Sequence, residues 1–475
     1  MMVRSIAQKE FISTLRDSRF VVLSAIVLLL LLAATVVGLH SYSTLQAERD
    51  AAQQTVNDQF ANSEARHPHR MAHYGSYAFR PKSSISFLDF GMDSYTGASV
   101  YMEAHKQNSA NFSQAQQSSS LIRFGEMTVA FVLQMLIPLL IIFLCFGAFT
   151  QEKETGTLKI LLSQGTSLRQ VAWSKIAGFS KVVALVVAPA LVLAALLLFG
   201  RGGFELNGDL LQRLLLFIGF YLVYFFIFIV LSVVVSALHQ RSSTALVTLL
   251  GIWILCCVII PKATANLGAT LYTTPTKAQL EADVHEEVAK GIDGHSSGQD
   301  ERTEALKNEL LEKYKVSSVE ELPVNFDGIR MAAGEEHSTK VYQEHFNELT
   351  DIFRMQNRIS EYAGFLNPYL AVRHLSMGMA GSDFNHYVNF QNEAEQYRYN
   401  LAQGLNHIQA TQLKYGDKET RLSSDTWKEF QPFEYETPKA GWALANHLVS
   451  LIALFLWLVL VCTVGMKLID KTKVA

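Results

Sequence analysis

Six runs of apolar residues, each close to the length of a membrane-crossing helix, alternate with polar segments of very unequal size. A helix needs about 20 mostly apolar residues to cross the hydrocarbon core. The runs are Phe20–His40, Met127–Phe149, Ile176–Phe199, Leu211–Ala237, Ala245–Ile260 and Leu444–Leu468. The third contains Pro189, the fourth is long enough to tilt, and the fifth is the shortest. The first run follows Arg4, Lys9, Arg16 and Arg19 and is too long for a signal-peptide core, so it reads as a retained span. The prediction is a mainly α, polytopic membrane protein with six transmembrane helices.

Basic residues set the direction of the path. They cluster at the N-terminus, at Lys153, Lys159, Arg169 and Lys175, at Arg241, and at Lys467, Lys471 and Lys473. A path with both termini cytoplasmic puts all of these inside, whereas Arg201, Arg213, Lys262 and Lys439 fall outside. Residues 41–126 then form a first extracytoplasmic segment and 261–443 a large, mostly helical extracytoplasmic domain. Residues 1–19, 150–175 and 469–475 are cytoplasmic, and the Arg201–Asp209 turn is outside.

In the large outer segment, apolar residues recur at helical spacing over 278–290, 302–314, 335–362, 369–377 and from 383 to about 411. Ser318-Val319-Glu320-Glu321 has the spacing of a capping box, but Pro323 stops any helix there. Gln107–Ser120, rich in Asn, Gln and Ser, reads as a linker.

Only 17% of the residues are charged, below the roughly 25% of soluble domains. The net charge of −3 gives no electrostatic driver for nucleic-acid binding. All four cysteines lie in apolar runs, so the outer segments carry neither disulfides nor zinc–cysteine sites. His67, His69 and His73 are candidate ligands for a transition metal, weakened by the scarcity of nearby acids. His337, Glu344 and His345 are a weaker set. No HExxH or GxSxG pattern occurs, and no G-x-x-x-x-G-K-[ST] loop to cradle nucleotide phosphates. The aromatic stretch Tyr221, Tyr224, Phe225, Phe226 and Phe228 reads as packing before it reads as a binding stripe.

The joint between the second and third runs is the most informative segment. Gln151-Glu152-Lys153-Glu154 continues the second helix as a polar turn, and Gly156 permits a change of direction. Thr157–Gln164 is a short helix with Leu158, Leu161 and Leu162 on one side, ended by Gly165. Ser167-x-x-Gln170 caps the next helix. This predicts an apolar knob ringed by carboxylates at the inner membrane surface. An N-terminal helix over 3–16, with Val3, Ile6, Ala7, Phe11 and Leu15 on one side, lies flat in the interface.

The string Glu152-Lys153-Glu154-Thr155-Gly156-Thr157-Leu158, with Leu161-Leu162-Ser163 and Lys175, resembles the E-x-E-x-G-T-L signature of ABC-2 type transporter permeases. His73-Tyr74-Gly75, Phe79-Arg80-Pro81, Asp93-Ser94-Tyr95-Thr96-Gly97, Tyr101-Met102-Glu103-Ala104-His105, Asn367-Pro368, Leu375-Ser376 and Gly381-Ser382-Asp383-Phe384-Asn385-His386 are similar to the subfamily that carries a DUF3526 region. The resemblance implies a permease subunit, usually an exporter, in a bacterial plasma (inner) membrane. It implies pairing with an identical or sister permease and docking by a separate ABC ATPase dimer, which holds the ATP and magnesium. Residues 150–175 then supply the coupling helix, with Glu152, Glu154, Gly156, Thr157, Leu158, Leu161 and Leu162 as the ATPase-coupling residues and Ile6, Phe11 and Leu15 on the interfacial helix. The chain itself is expected to need no cofactor and to be no enzyme. Two competing readings are a membrane-anchored sensor or scaffold and an ion-driven transporter. The lack of Asp or Glu deep in any span argues against the last.

Overall fold

The computed structural model describes residues 2–110, 127–200, 207–292 and 301–472. The linker beyond Ala110, the first part of the Arg201–Asp209 turn, Lys473 and the Val3 side chain lie outside the described residues.

Helix α1 (Met2–Arg16) is separated from α2 (Ser18–Ala61) by Asp17, whose carboxylate accepts from the Arg19 amide at 2.9 Å and caps α2. Helix α2 carries the first apolar run and then continues well beyond it, because Ser41–Ala61 contains neither Gly nor Pro. The outer segment adds α3 (Pro68–Tyr74) and an antiparallel ribbon of β1 (Ser76–Phe79) and β2 (Ser99–Met102), with Ser76 opposite Met102. Next come α4 (Val129–Glu154), α5 (Thr157–Ser163), α6 (Leu168–Gly200), α7 (Gly208–Leu238) and α8 (Ser242–Leu271). The second outer segment consists of α9 (Lys277–Ala289), α10 (Glu301–Tyr314), α11 (Phe326–Ala363), α12 (Pro368–Ala380), α13 (Phe384–Gln412) and the short α14 (Ser424–Lys428). Helices α15 (Ala440–Asn446) and α16 (Leu448–Asp470) end the chain. Among the described residues, the six helices long and apolar enough to span a bilayer are α2, α4, α6, α7, α8 and α16.

Helix α7 is the axis of the bundle. It packs on α4, α6, α8, α12 and α16, and Phe217, Tyr221, Tyr224, Phe225 and Phe228 are all buried. The aromatic stretch is therefore interior packing, with two phenol hydroxyls used as bridges. Pro138 has no amide to give Gln134, and the helix loosens into a π-turn at Val132–Leu136. The carbonyls exposed there are taken up by neighbours: Tyr224 donates to Gln134 O at 2.9 Å and Trp253 to Met135 O at 3.0 Å. A second π-turn, Leu255–Ile259, precedes Pro261, and Asn367 donates to Cys256 O at 2.7 Å. Lipid offers no partner for a freed carbonyl, so such cross-helix donors are required.

The Asn367 bond is part of a wider contact between residues 261–443 and the spans. The tip of the α11–α12 hairpin enters the span bundle. Gly364 O accepts from Trp457 of α16 at 3.1 Å, and a Cβ at Gly364 would lie 3.5 Å from Ala453. Helix α12 is buried on nearly every side, from Pro368 to Ala380. Only Arg373 is exposed, and α7, α8 and α16 provide the enclosure for the rest.

Above the bundle, α11 and α13 pack along each other, and α13 also receives α3 and β2. A small core of Phe60, Met71, Leu401, Leu405 and Trp427 joins the end of α2 to this layer. At its centre Arg398 donates to Glu335 at 2.5 Å, to Glu395 at 2.7 Å and to Thr339 at 2.7 Å. Burial alone raises a carboxyl, but hydrogen bonds from His105 and the charge of Arg398 overcome it and hold Glu335 at about 2. One guanidinium cannot neutralise two carboxylates, and burial leaves Glu395 above its ordinary value.

Glu335→Gln is therefore expected to destabilise the outer layer by about 2 kcal/mol at neutral pH, the scale of a hydrogen bond to a charged group. The folded-state value is depressed, so the wild-type advantage is full above the unfolded value of about 4.3 and fades as pH falls toward 2. Unfolding of both proteins in detergent across that range measures it. A pH-independent difference would remove Glu335 ionisation from the account.

Candidate functional site

The joint between α4 and α6 is built from three consecutive charged residues that grip four different elements. Glu152, on the last turn of α4, is buried and accepts from Lys175 of α6 at 2.9 Å and from Lys9 of α1 at 3.5 Å. Lys175 also reaches Glu10 of α1 at 3.0 Å, and its side chain is only 2% exposed. Lys153 turns the other way and donates to the carbonyls of Ala237 at 2.5 Å and His239 at 3.0 Å, closing the C-terminal end of α7. Glu154 accepts from the Ser242 amide at 2.7 Å and hydroxyl at 3.0 Å, capping α8. Ser236 adds a fourth tie, donating to Phe146 O at 2.7 Å and accepting from the Phe149 amide at 2.9 Å.

After this hub the chain reverses at Gly156, whose φ of 74° is the left-handed conformation that side chains disfavour. Thr157 opens α5, its hydroxyl reaching Glu152 O at 3.4 Å. Ser167 and Gln170 form the expected reciprocal cap at the start of α6, with distances of 3.0 and 3.2 Å. The expectation that Leu158 forms part of an exposed knob is corrected. Leu158 is fully buried in the main core, in the cluster that includes Phe149, Val171 and Ala172. Leu161 and Leu162 are half-buried, and the apolar side chain that α5 presents outward is Ile160, 60% exposed. Lys159, Ser163 and Gln164 are exposed around it. Glu154 is exposed beside the hub, while the burial of Glu152 removes it from any outer surface.

Helix α1 docks on α6 as well as lying beside the joint. Ile6 and Ala7 are buried, Phe11 and Leu15 half-buried, and Ile12 exposed. A Cβ at Gly178 of α6 would stand 2.8 Å from Ala7 O, so this crossing needs glycine. Arg169, at the start of α6, pairs with Asp470 of α16 at 2.6 Å. The joint thus touches α1, α6, α7 and α8 directly.

Lys9, Glu10, Lys153, Ile160 and Ser242 were not named as site residues from sequence. Only Lys153 had a visible signal, a lone cation between two acids at the end of an apolar run.

At the opposite end, a cavity of about 730 Å³ opens between α11, α13 and α16, lined among others by Arg354, Arg358, Glu361, Asp383 and His447. Asp383 joins its walls: one oxygen meets His386 Nδ1 at 2.5 Å and the other His447 Nε2 at 2.5 Å. Burial opposes its charge, but the two imidazoles hold it well below the usual carboxylate range. Glu361, His374 and His447 come within 4.8 Å of one another, with His374 Nε2 bonded to Ser360 at 3.0 Å. His345 pairs with Glu287 at 3.0 Å, and His337 faces Glu287 O at 3.3 Å, so this weaker candidate set ties α11 to α9.

Residues 27–263 match the family described as ABC-2 family transporter protein, and residues 277–436 match the domain of unknown function DUF3526. No curated protein matches the sequence. The chain belongs to the ABC-2 transporter family, in the subfamily with the DUF3526 region. It is a multi-pass membrane permease of an ABC transporter, a class that works with an ABC ATPase.

Glu152→Gln leaves the buried Lys175 with Glu10 alone and is expected to cost about 3 kcal/mol. Glu154→Gln, at an exposed cap, is expected to cost less than about 1 kcal/mol. Urea unfolding in detergent compares the two. Equal losses would mean that Lys175 is not the anchor of the joint.

Proposed function

We propose that this chain is the permease subunit of an ABC exporter in a bacterial plasma membrane, with both termini in the cytoplasm. Two permeases, identical or sister chains, line the path, and a separate ATPase dimer, holding ATP and magnesium, docks from the cytoplasm. Helix α5 is the coupling helix. Ile160 enters the ATPase cleft, with Lys159, Ser163 and Gln164 at its rim, while Leu158, Leu161 and Leu162 fasten the helix to its own subunit. Glu152 and Glu154 act behind the contact. They make the joint stiff, so a push on α5 is delivered to α1, α6 and α8, and Lys153 delivers it to α7.

The observation that carries this reading is the hub itself: one short outward-facing helix fixed by adjacent residues to several spans at once. The absence of a phosphate-binding loop from the sequence agrees with an engine on another polypeptide. The distribution of Lys and Arg supports the orientation.

In membranes holding the cognate ATPase, Ile160→Asp is expected to weaken the complex by roughly 10-fold or more, since burying an isoleucine side chain contributes about 1.5–3 kcal/mol. Glu154→Gln is expected to retain the ATPase and to lower transport-coupled hydrolysis. Co-purification and ATPase assays in nanodiscs read both. Full retention of the ATPase by Ile160→Asp would refute α5 as the docking element, as would labelling of residues 157–164 from outside the cell.

A further inference from the structure

Three imidazoles from two segments meet at the seam between the two matched regions. His69 and His73 stand one turn apart on α3. His105 lies in the tight turn Glu103–Lys106, which follows β2. One nitrogen from each ring lies within 4.8 Å of the others, and the ring centres are 4.7, 5.4 and 6.2 Å apart. His105 reaches the group from a left-handed backbone, φ 62°, where glycine or asparagine is the usual occupant. The turn is pinned to α3 by the Ala104 amide, which donates to Ala72 O at 3.2 Å.

Glu335 of α11 fixes the ring itself. Its Oε2 accepts from the His105 amide at 2.8 Å and faces His105 Nδ1 at 3.1 Å. A carboxylate on one ring nitrogen sets the tautomer and presents the other nitrogen to a metal. Glu335 is held in turn by Arg398. Neutral imidazole donors suit zinc, copper, nickel or cobalt and not calcium or magnesium, which take oxygen. His67 is spoken for otherwise. Its Nδ1 accepts from the His69 amide at 3.2 Å and caps α3, and its Nε2 faces Asp417 O at 3.2 Å. The ligand set read from sequence spacing, His67, His69 and His73, is thereby corrected at one member.

We propose that His69, His73 and His105 bind one divalent transition-metal ion of the zinc–copper class, with Glu335 as the outer carboxylate that orients His105. The ion bridges the outer piece of the ABC-2 region to the DUF3526 domain, because His69, His73 and His105 belong to the first and Glu335 to the second. Three protein ligands leave a coordination position for water or for a donor on a visiting molecule.

Full-length protein, purified in detergent through a tag without histidines and stripped with chelator, is titrated with Co²⁺ as the probe. Binding is read from visible d–d absorption and from metal content after dialysis. The expected result is one ion per chain. His73→Gln lowers the affinity roughly 10-fold or more, the scale reached even by changes around a ligand. His105→Gln does the same, and His407→Gln, on the exposed side of α13, leaves affinity unchanged. His73 is exposed, so its variant is expected to keep the metal-free melting curve of the wild type and decides the matter if His105→Gln misfolds. Absence of Co²⁺ and Zn²⁺ binding at micromolar concentration, or equal affinity in wild type and His73→Gln, overturns the site.

Discussion

Only 2% of the Lys175 side chain meets solvent, and this end of the molecule is arranged around that fact. A buried ammonium costs several kcal/mol unless it is paired. Its two carboxylates come from Glu10 on the N-terminal helix and Glu152 on the end of the second span, so neutralising one charge brings three separate stretches of chain together. Once Glu152 is fixed, its neighbours point where they must. Lys153 closes one helix and Glu154 opens another. The sequence Glu-Lys-Glu thus works as a splice among helices that are far apart along the chain, and the Ile160 side of α5 is what remains exposed after the splice is made.

The spans were legible because lipid demands long apolar runs, and the breaks in the joint because Gly156 and Gly165 stand where the helical pattern stops. The facing of α5 was not. A seven-residue helix offers fewer than two turns, and periodicity cannot say which of Leu158 and Ile160 is covered. The partners of Glu152 and Lys175 were hidden for a different reason: Glu10 and Lys175 are 165 positions apart, and no local pattern joins them. His105 was quoted in a family-like string, yet its meeting with His69 and His73 depends on the β1–β2 ribbon folding back. The strands were not expected at all, being only four residues each in a chain that reads as helical.

The outer half follows another logic. Its domain does not rest on the bundle as a separate body. The α11–α12 hairpin descends among the spans, and Tyr221 of α7 links Gln134 of α4 to Ser376 of α12 through bonds of 2.8 Å each. Ser376 donates onward to Asp89 of the first outer segment. Buried polar chains of this kind are costly when broken, so the outer domain and the membrane core share their most exacting contacts.

One last consequence concerns α2. At 1.5 Å per residue its 44 residues form a rod of about 66 Å, with one end beside the inner joint and the other, Phe60, set into the outer core. A tilt of about 10° at the base sweeps the far end through about 11 Å. No relay of side chains is needed for such a stroke. An unbroken oar of this length would turn a small movement at one end into a large one at the other, and His69, His73 and His105 lie close to where its blade dips.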